Sequence, residues 1–180
     1  MSRIVIVSGP PGAGKSTVAR RLTQRGPASR AMHMHTDDMY GYVWRGFIQP
    51  WLPEAAEQNA TLARALSTSA GICAAGGYDV FADGVLGPWL LEFWREAAQV
   101  HGVGLYYVVL MPDEETAVTR ATTRTNSGAM KDADVARRMW RTFQAHALPD
   151  GHVLDTSTQD PDETVARVLN GLAEGRFRLG

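Results

Sequence analysis

A glycine-rich segment directly after the first apolar run constrains this chain more than any other feature. Residues 9–16 read GPPGAGKS and follow the apolar residues 4–7. They fit the pattern G-x-x-x-x-G-K-[ST], in which glycines let backbone N–H groups point at an anion and the next helix adds its positive N-terminal end. Because apolar residues precede the segment and a helical pattern follows it, we predict a phosphate-binding loop between a first strand and a first helix.

The residues of this loop have separate predicted roles. Lys15, one of only two lysines in the chain, is expected to reach the terminal phosphates and act in catalysis, and the Ser16 hydroxyl is expected to bind Mg²⁺. ATP is predicted to contact seven residues of the loop: Gly9, Gly12, Ala13, Gly14, Lys15, Ser16 and Thr17. The alternative is a glycine-rich turn that matches the pattern by chance, which the flanking strand and helix patterns disfavour.

Strand-like apolar runs alternate with helical patterns along the whole chain. We predict strands at 4–8, 31–36, 80–82, 105–111 and 152–155, and helices at 15–25, 53–76, 88–100, 114–124, 132–146 and 162–174. Such alternation indicates parallel strands joined by right-handed crossovers, which gives a three-layer α/β/α fold. In sheets of this kind ligands bind beyond the carboxyl ends of the strands. The loops after the strands are therefore the candidate site.

Length and composition limit the number of domains and the class of protein that this chain can form. The 180 residues, 44% hydrophobic and 21% charged, are expected to form one soluble domain over 1–180. No apolar run approaches the roughly 20 residues of a membrane span, and no signal peptide is expected. A formal net charge of −1 disfavours nucleic-acid binding, and a single cysteine, Cys73, suits a reducing cytoplasm. We expect a cytoplasmic protein, monomeric or homodimeric, with neither nucleic-acid nor membrane partners.

Three aspartates follow predicted strands on the ligand side of the sheet. Asp37 and Asp38 end the second strand, and Asp37 is the preferred candidate to accept a proton from the hydroxyl of a substrate; both are candidate substrate-binding residues. Asp83 ends the third strand and is predicted to hold Mg²⁺ through water and to lie on the substrate side. Each could instead cap a helix or form a turn. His33 and His35 share a strand face, but a metal site there would need two further ligands that the sequence does not place.

Two arginines mark a predicted lid over the site. Arg120 and Arg124 lie four residues apart on one helical face and lead into the polar loop TNSGAM, residues 125–130, so the lid is expected at about 120–135. Both are candidate catalytic residues, because phosphoryl transfer needs positive charge from outside the phosphate loop. A solvated basic face is the alternative, and the arginines at 137, 138 and 141 are assigned to that class.

The segment at about 37–53 is a candidate wall of the acceptor pocket. Its residues 39–53, MYGYVWRGFIQPWLP, carry five aromatic side chains. Trp44 and Trp51 are candidate contacts for the ring of a substrate, and Arg45 for a carboxylate. The alternative, held as equal, is a cap over the core in which Arg45 lies along apolar surface.

These residues together favour a small-molecule kinase. A GTPase switch would carry a guanine-reading N-K-x-D segment, which this sequence lacks. The predicted function is transfer of the ATP γ-phosphate to a hydroxyl of a small acceptor, which is a sugar, a sugar acid, a nucleoside or an antibiotic. Two alternatives stay open: an ATP-binding switch module without transfer, and a toxin-like kinase that acts on a nucleotide sugar.

The combination of GPPGAGKST, HTDDMY, YDVFADG and TRATTR resembles the small P-loop kinases of the gluconate kinase, shikimate kinase and chloramphenicol phosphotransferase group, and most of all gluconate-kinase-like ATP-binding proteins. The resemblance covers most of the chain. It implies a P-loop NTPase fold with a five-stranded parallel sheet in the order 2-3-1-4-5, and it places the acceptor-binding aspartate at Asp37. It also implies that adenine lies between Arg120 and the segment Thr156-Ser157-Thr158.

Two departures from related kinases bear on the acceptor. Nucleoside monophosphate kinases carry an arginine in a DGFPR segment, where this chain reads DGVLG at 83–87. The glycine triplet of shikimate kinases is missing as well. A phosphorylated acceptor and shikimate are therefore both disfavoured.

Overall fold

The chain folds into a parallel sheet with helices on both faces. The computed structural model describes residues 2–125 and 131–180; residues 126–130 of the predicted lid loop lie outside the described part. The strands are β1 (Arg3–Ser8), β2 (Ala31–His35), β3 (Asp79–Asp83), β4 (Gly104–Leu110) and β5 (Val153–Leu154). The α-helices are α1 (Lys15–Arg25), α2 (Ala56–Ala75), α3 (Leu91–His101), α4 (Glu114–Thr122), α5 (Ala133–Ala145) and α6 (Pro161–Ala173).

The sheet has the predicted topology. All of its pairings are parallel and the strand order is β2-β3-β1-β4-β5. The central strand β1 pairs Ile4 with Val80 on one side and with Leu105 on the other. The order reverses at β1, so the loops after β1 and β3 lie at a topological switch point, where ligands bind in sheets of this kind.

Alternate residues of β1 supply two separate cores. Ile4 and Ile6 pack with Trp94 and other residues of α2 and α3, whereas Val5 and Val7 pack on the other face with residues of α1 and α6. All four β1 side chains are fully buried. A strand covered on both faces reads as a continuous apolar run, which is what residues 4–7 show.

The element boundaries differ slightly from the predicted ones. The predicted helices at 53 and 88 each begin with a 3-10 turn, Pro53–Ala55 and Pro88–Leu90, before α2 and α3. The predicted fourth helix ends at Thr122 rather than at 124. The segment after β2 forms a 3-10 helix, Thr36–Tyr42, and residues 43–52 have no regular helix or strand. Among the described residues, no helix is long and apolar enough to cross a membrane.

Candidate active site

The glycines of the phosphate loop adopt backbone angles that other residues rarely reach. Gly9, Gly12 and Gly14 have φ values of 141°, 82° and 85°. A Cβ on Gly9 would lie 2.1 Å from the Leu110 carbonyl oxygen, and one on Gly12 would lie 1.9 Å from that of Ala117. A Cβ on Gly14 would meet nothing within 4 Å. Two glycines therefore let the loop pack against its neighbours, and the third lies beside open space of the kind a ligand would fill.

Lys15 lies folded onto its own loop. Its Nζ donates a hydrogen bond to the Pro10 carbonyl oxygen at 2.9 Å, and the residue is buried. Burial lowers the pKa of Lys15 to about 8, although the nearby Asp37 carboxylate acts in the opposite direction. The lysine therefore carries a weakly solvated charge, which an anion in the loop would stabilise.

Asp83 is the most heavily hydrogen-bonded carboxylate of the site. It is fully buried and accepts from Ser16 Oγ at 2.5 Å, His33 Nε2 at 2.5 Å and His35 Nδ1 at 3.1 Å. Burial alone would raise the pKa of Asp83, but these donors together hold it below its ordinary value. Asp83 is therefore ionised and positioned by three side chains.

The histidine contacts were not predicted from the sequence. The strand order that the family resemblance implies places β3 beside β2, but it does not give the register that brings His33 and His35 to Asp83. In the sheet His35 pairs with Asp83 itself, and the hydrogen bond to Asp83 raises the pKa of His35. Within the described residues, no three His, Cys, Asp or Glu side chains are grouped to hold a metal ion.

Asp37 and Asp38 lie in the 3-10 helix that follows β2. The first residue of this helix is hydrogen-bonded to the end of β3, because Thr36 Oγ1 donates to the Asp83 carbonyl oxygen at 2.9 Å. The charge of Asp37 opposes the fall that burial causes in the pKa of Lys15 and of Arg124, and it adds to the rise in the pKa of Tyr40. Asp37 and Asp38 both contribute to the raised pKa of His35. Asp37 is thus the aspartate that lies within the electrostatic field of the phosphate loop.

The two lid arginines occupy different surroundings. Arg120 donates to the carbonyl oxygens of Thr156 and Ser157 at 3.1 and 3.0 Å, which joins α4 to the loop after β5. Arg124 is partly buried, and burial lowers its pKa while Asp37 opposes that change. Thr156 Oγ1 is buried without a hydrogen-bond partner among the described residues. These contacts bring Arg120 to the segment that the family resemblance implies for adenine.

One continuous cleft of about 1390 Å³ runs over the phosphate loop, the segment after β2 and parts of α2, α4 and α5. Lys15, Ser16, Asp37, Arg120 and Arg124 all line it. Single-ligand pockets have about 300–1,000 Å³, so the cleft has room for two small molecules.

Aromatic and apolar side chains line much of this cleft. The aromatic lining residues are Tyr40, Tyr42, Phe47, Trp51, Trp89 and Phe143. Trp51 is thus found where the sequence analysis expected it, whereas Trp44 is 90% exposed and neither it nor the exposed Arg45 is among the lining residues.

Several lining residues were missed from the sequence, among them Trp89, Phe143 and Arg138. Trp89 and Phe143 come from segments that carried no site prediction, and their rings meet edge to face at 5.5 Å. Arg138 had been assigned to a solvated face, and it is exposed as expected, but it also lines the cleft.

The sheet order and the glycine loop between β1 and α1 together define the fold of the small P-loop kinases. The chain belongs to a family described as an AAA domain, whose model matches residues 4–149. No protein of curated function matches the chain at the sequence level.

Solved structures with the same fold include several kinases. An unliganded sugar kinase from a Janibacter species is 20% identical, with a TM-score of 0.71 over 96% of this chain and 95% of that one. The Mycobacterium tuberculosis APS kinase CysC, in complex with AMPPNP and APS, is 18% identical, with a TM-score of 0.67 over 96% and 98%. A gluconokinase from Sinorhizobium meliloti 1021 is 18% identical, with a TM-score of 0.65 over 97% and 93%. At these identities the similarity establishes the fold.

Proposed function

We propose that the protein is an ATP-dependent phosphotransferase that moves the γ-phosphate to a hydroxyl of a small molecule. The observation that carries this proposal is the single cleft in which the phosphate loop, Asp37 and a ring-lined region meet. A protein that only binds nucleotide needs no carboxylate beside the terminal phosphates and no second compartment. The kinases among the solved structures of the same fold add support.

The nucleotide is proposed to lie between the phosphate loop and the segment after β5. Backbone N–H groups from Gly9 to Thr17 and the N-terminal end of α1 would bind the phosphates. Lys15 would exchange its hydrogen bond to Pro10 for the terminal phosphates. Arg120, already hydrogen-bonded to the carbonyl groups of residues 156 and 157, would cover the adenine.

Ser16 and Asp83 fit the Mg²⁺ that such a reaction uses. Their side chains supply a hydroxyl and a buried, ionised carboxylate in direct contact, the hard oxygen ligands that Mg²⁺ prefers. When bound, the ion would neutralise charge that develops on the phosphate oxygens. His33 and His35 would keep the Asp83 carboxylate directed at the site.

The acceptor side supplies a base and positive charge. In the proposed reaction the acceptor oxygen bonds to the γ-phosphorus, the bond to the β-phosphate oxygen breaks, and ADP leaves. Asp37 would take the proton of the hydroxyl, while Lys15 and Arg124 would stabilise the transferred phosphoryl group. Asp38 and Trp51 line the cleft and are proposed contacts of the acceptor, whereas the predicted contacts Trp44 and Arg45 are exposed and are not among its lining residues.

A coupled ADP-release screen over sugars, sugar acids, nucleosides and antibiotics tests this function. Lys15→Ala should abolish turnover and weaken ATP binding, whereas Asp37→Ala should lose turnover by at least about 100-fold and keep ATP binding, in line with the loss of a general base. Full activity of Asp37→Ala on the true acceptor would remove it as the base. ATP binding without transfer to any acceptor would instead favour the switch module.

A further inference from the structure

The sheet order separates the cleft into two halves. The segment after β5, at Thr156 and Ser157, lies on the β4 side of β1, whereas β2 and β3 lie on the opposite side. The residues that follow β2 and β3 therefore form the half away from the proposed adenine position. We name this part, lined by segments 36–51 and 85–90 and by residues of α2 and α5, the acceptor half.

Hydrogen bonds between polar groups of the protein hold the wall of the acceptor half in place. The Gln58 side chain both accepts from the Ile48 backbone N–H at 2.9 Å and donates to the Ile48 carbonyl oxygen at 2.7 Å. Asn59 donates to the Pro50 carbonyl oxygen at 2.8 Å and accepts from Tyr40 at 3.0 Å. The amides of Gln58 and Asn59 and the Tyr40 hydroxyl are thus used to hold segment 48–50 against α2.

The surfaces left for a ligand are mainly rings and aliphatic groups, together with a smaller set of polar and charged side chains: Asp37, Asp38, Tyr42, Gln49, Arg124, Arg138 and Thr142. Six aromatic side chains line this half, and the remaining apolar lining is aliphatic: Ala63, Leu66, Val85, Leu86, Leu90 and Met139. In the described lining, Gln49 is the one side-chain amide without an internal hydrogen bond. A site that selects a bare sugar needs several hydrogen-bonding groups for its hydroxyls, whereas ring faces select flat or apolar molecules.

One cation on α5 has no acidic partner within the described residues. Arg137 and Arg141 both pair with Glu114, at 3.1 and 3.0 Å, and Arg137 also contacts Asp134. Arg138, on the same helix, forms no ion pair there, yet it lines the cleft beside Met139 and Phe143. Its guanidinium is therefore available to bind an anionic group in two parallel hydrogen bonds.

The negative charges of the acceptor half lie on another element. Asp37 and Asp38 are in the 3-10 helix after β2, whereas Arg138 is on the lid helix α5. An anionic group would be repelled beside the aspartates and attracted beside Arg138. The charges thus favour one orientation, with the hydroxyl at Asp37 and the anionic group at Arg138.

From these observations we infer that the acceptor is an aromatic alcohol that also carries an anionic group, held between ring faces with its charge on Arg138. This rests on the phosphotransferase function proposed above and names the class of its acceptor. The rings of Trp51 and Trp89 bind the flat part of the molecule. A sugar or polyol lacks the surface that these walls fit.

Four probe molecules separate the contribution of the aromatic ring to binding from that of the negative charge. They are 4-(hydroxymethyl)benzoate, its neutral amide 4-(hydroxymethyl)benzamide, gluconate and glucose, each titrated by calorimetry into the full chain with ADP and Mg²⁺. The benzoate should bind tightest, the benzamide next, and the two polyols at least about tenfold more weakly than the benzoate, the loss expected for an unmatched surface. Tighter binding of gluconate or glucose, or binding of none of the four, would overturn the inference.

Two pairs of variants test the named residues. Arg138→Ala should weaken benzoate binding about tenfold and leave benzamide binding within twofold, as for loss of one charged hydrogen-bonding partner. Arg95→Ala, the removal of an exposed arginine outside the cleft, should change neither. Trp51→Ala should weaken both aromatic probes, and Trp51→Phe should restore most of the loss. Equal effects of Arg138→Ala on benzoate and benzamide would refute the anion contact.

The same probes distinguish this inference from the proposed function. ADP release with glucose or gluconate but not with the aromatic alcohols would keep the phosphotransferase and refute its aromatic acceptor. Tight binding of the benzoate without ADP release from ATP would keep the aromatic anion site and count against phosphoryl transfer.

Discussion

Alanine at Gly12 and at Gly14 should have separable effects, because the two glycines meet different surroundings. A Cβ on Gly12 would lie 1.9 Å from the Ala117 carbonyl oxygen, so α4 or the loop must shift by about 1.5 Å or more to reach ordinary contact. Overpacking of this kind costs about 1–3 kcal/mol, and the positive φ adds about 1–2 kcal/mol. At about 2–4 °C per kcal/mol for a chain of this size, Gly12→Ala should lower the Tm by roughly 4–20 °C.

Gly14→Ala carries only the cost of placing alanine at a positive φ. Its Cβ meets nothing within 4 Å, so the Tm should fall by about 2–8 °C. Gly102 is the matched control, since it has φ 63° and equally open surroundings at the end of α3, far from the loop in sequence. Gly14→Ala and Gly102→Ala should therefore lose similar stability.

The two matched variants should differ in their response to nucleotide. Thermal unfolding with and without ATP and Mg²⁺ measures this, because a ligand that binds the folded state raises the Tm. Gly102→Ala should keep the full rise, and Gly14→Ala should lose most of it, since its methyl group projects into the space proposed for phosphate. An unchanged rise in Gly14→Ala, or a Gly12→Ala protein as stable as the wild type, would refute this interpretation of the loop.

Three further predictions concern charge and positioning. Below pH 8 Lys15 is already protonated, so the affinity for ATP should not change with pH. Above about pH 8 Lys15 must take up a proton when ATP binds, so calorimetry should show the affinity falling by up to about tenfold per pH unit. The fall should be absent in Lys15→Arg, whose side chain stays protonated. Arg120→Ala should weaken ATP binding by about 3- to 30-fold in the same assay, the value of a cation–π contact with the adenine, while Arg95→Ala should not. His33→Ala should lower the free energy of unfolding at pH 7 by about 1–3 kcal/mol in urea titrations, because Asp83 stays buried with one donor fewer.

The fold was predictable because its signals are local. The apolar residues 4–7 and the glycine loop after them identify a buried central strand that leads into a helix, and the structure has both. The strand order came from the family resemblance and was confirmed. The boundaries that moved, such as the 3-10 turns before α2 and α3, depend on how single turns pack, which periodicity does not record.

The contacts of Asp83 show what sequence patterns could not supply. Its position after a strand predicted a role at the site, and Ser16 was assigned to the same metal. The donors His33 and His35 reach it only because β2 lies beside β3 in a register that pairs His35 with Asp83. Spacing along one strand cannot reveal a partner on the next.

The two halves of the cleft differ in predictability for a physical reason. The phosphate half is formed largely by backbone groups of one contiguous segment, so a motif in the sequence is enough to recognise it. The acceptor half is assembled from side chains of four separated segments, and each of them has an ordinary structural use. Arg137, Arg138 and Arg141 lie close together on one helix. Glu114, a residue of another helix, pairs with Arg137 and Arg141, whereas Arg138 lines the cleft without an ion pair among the described residues. Specificity for the acceptor therefore depends on tertiary placement rather than on a motif.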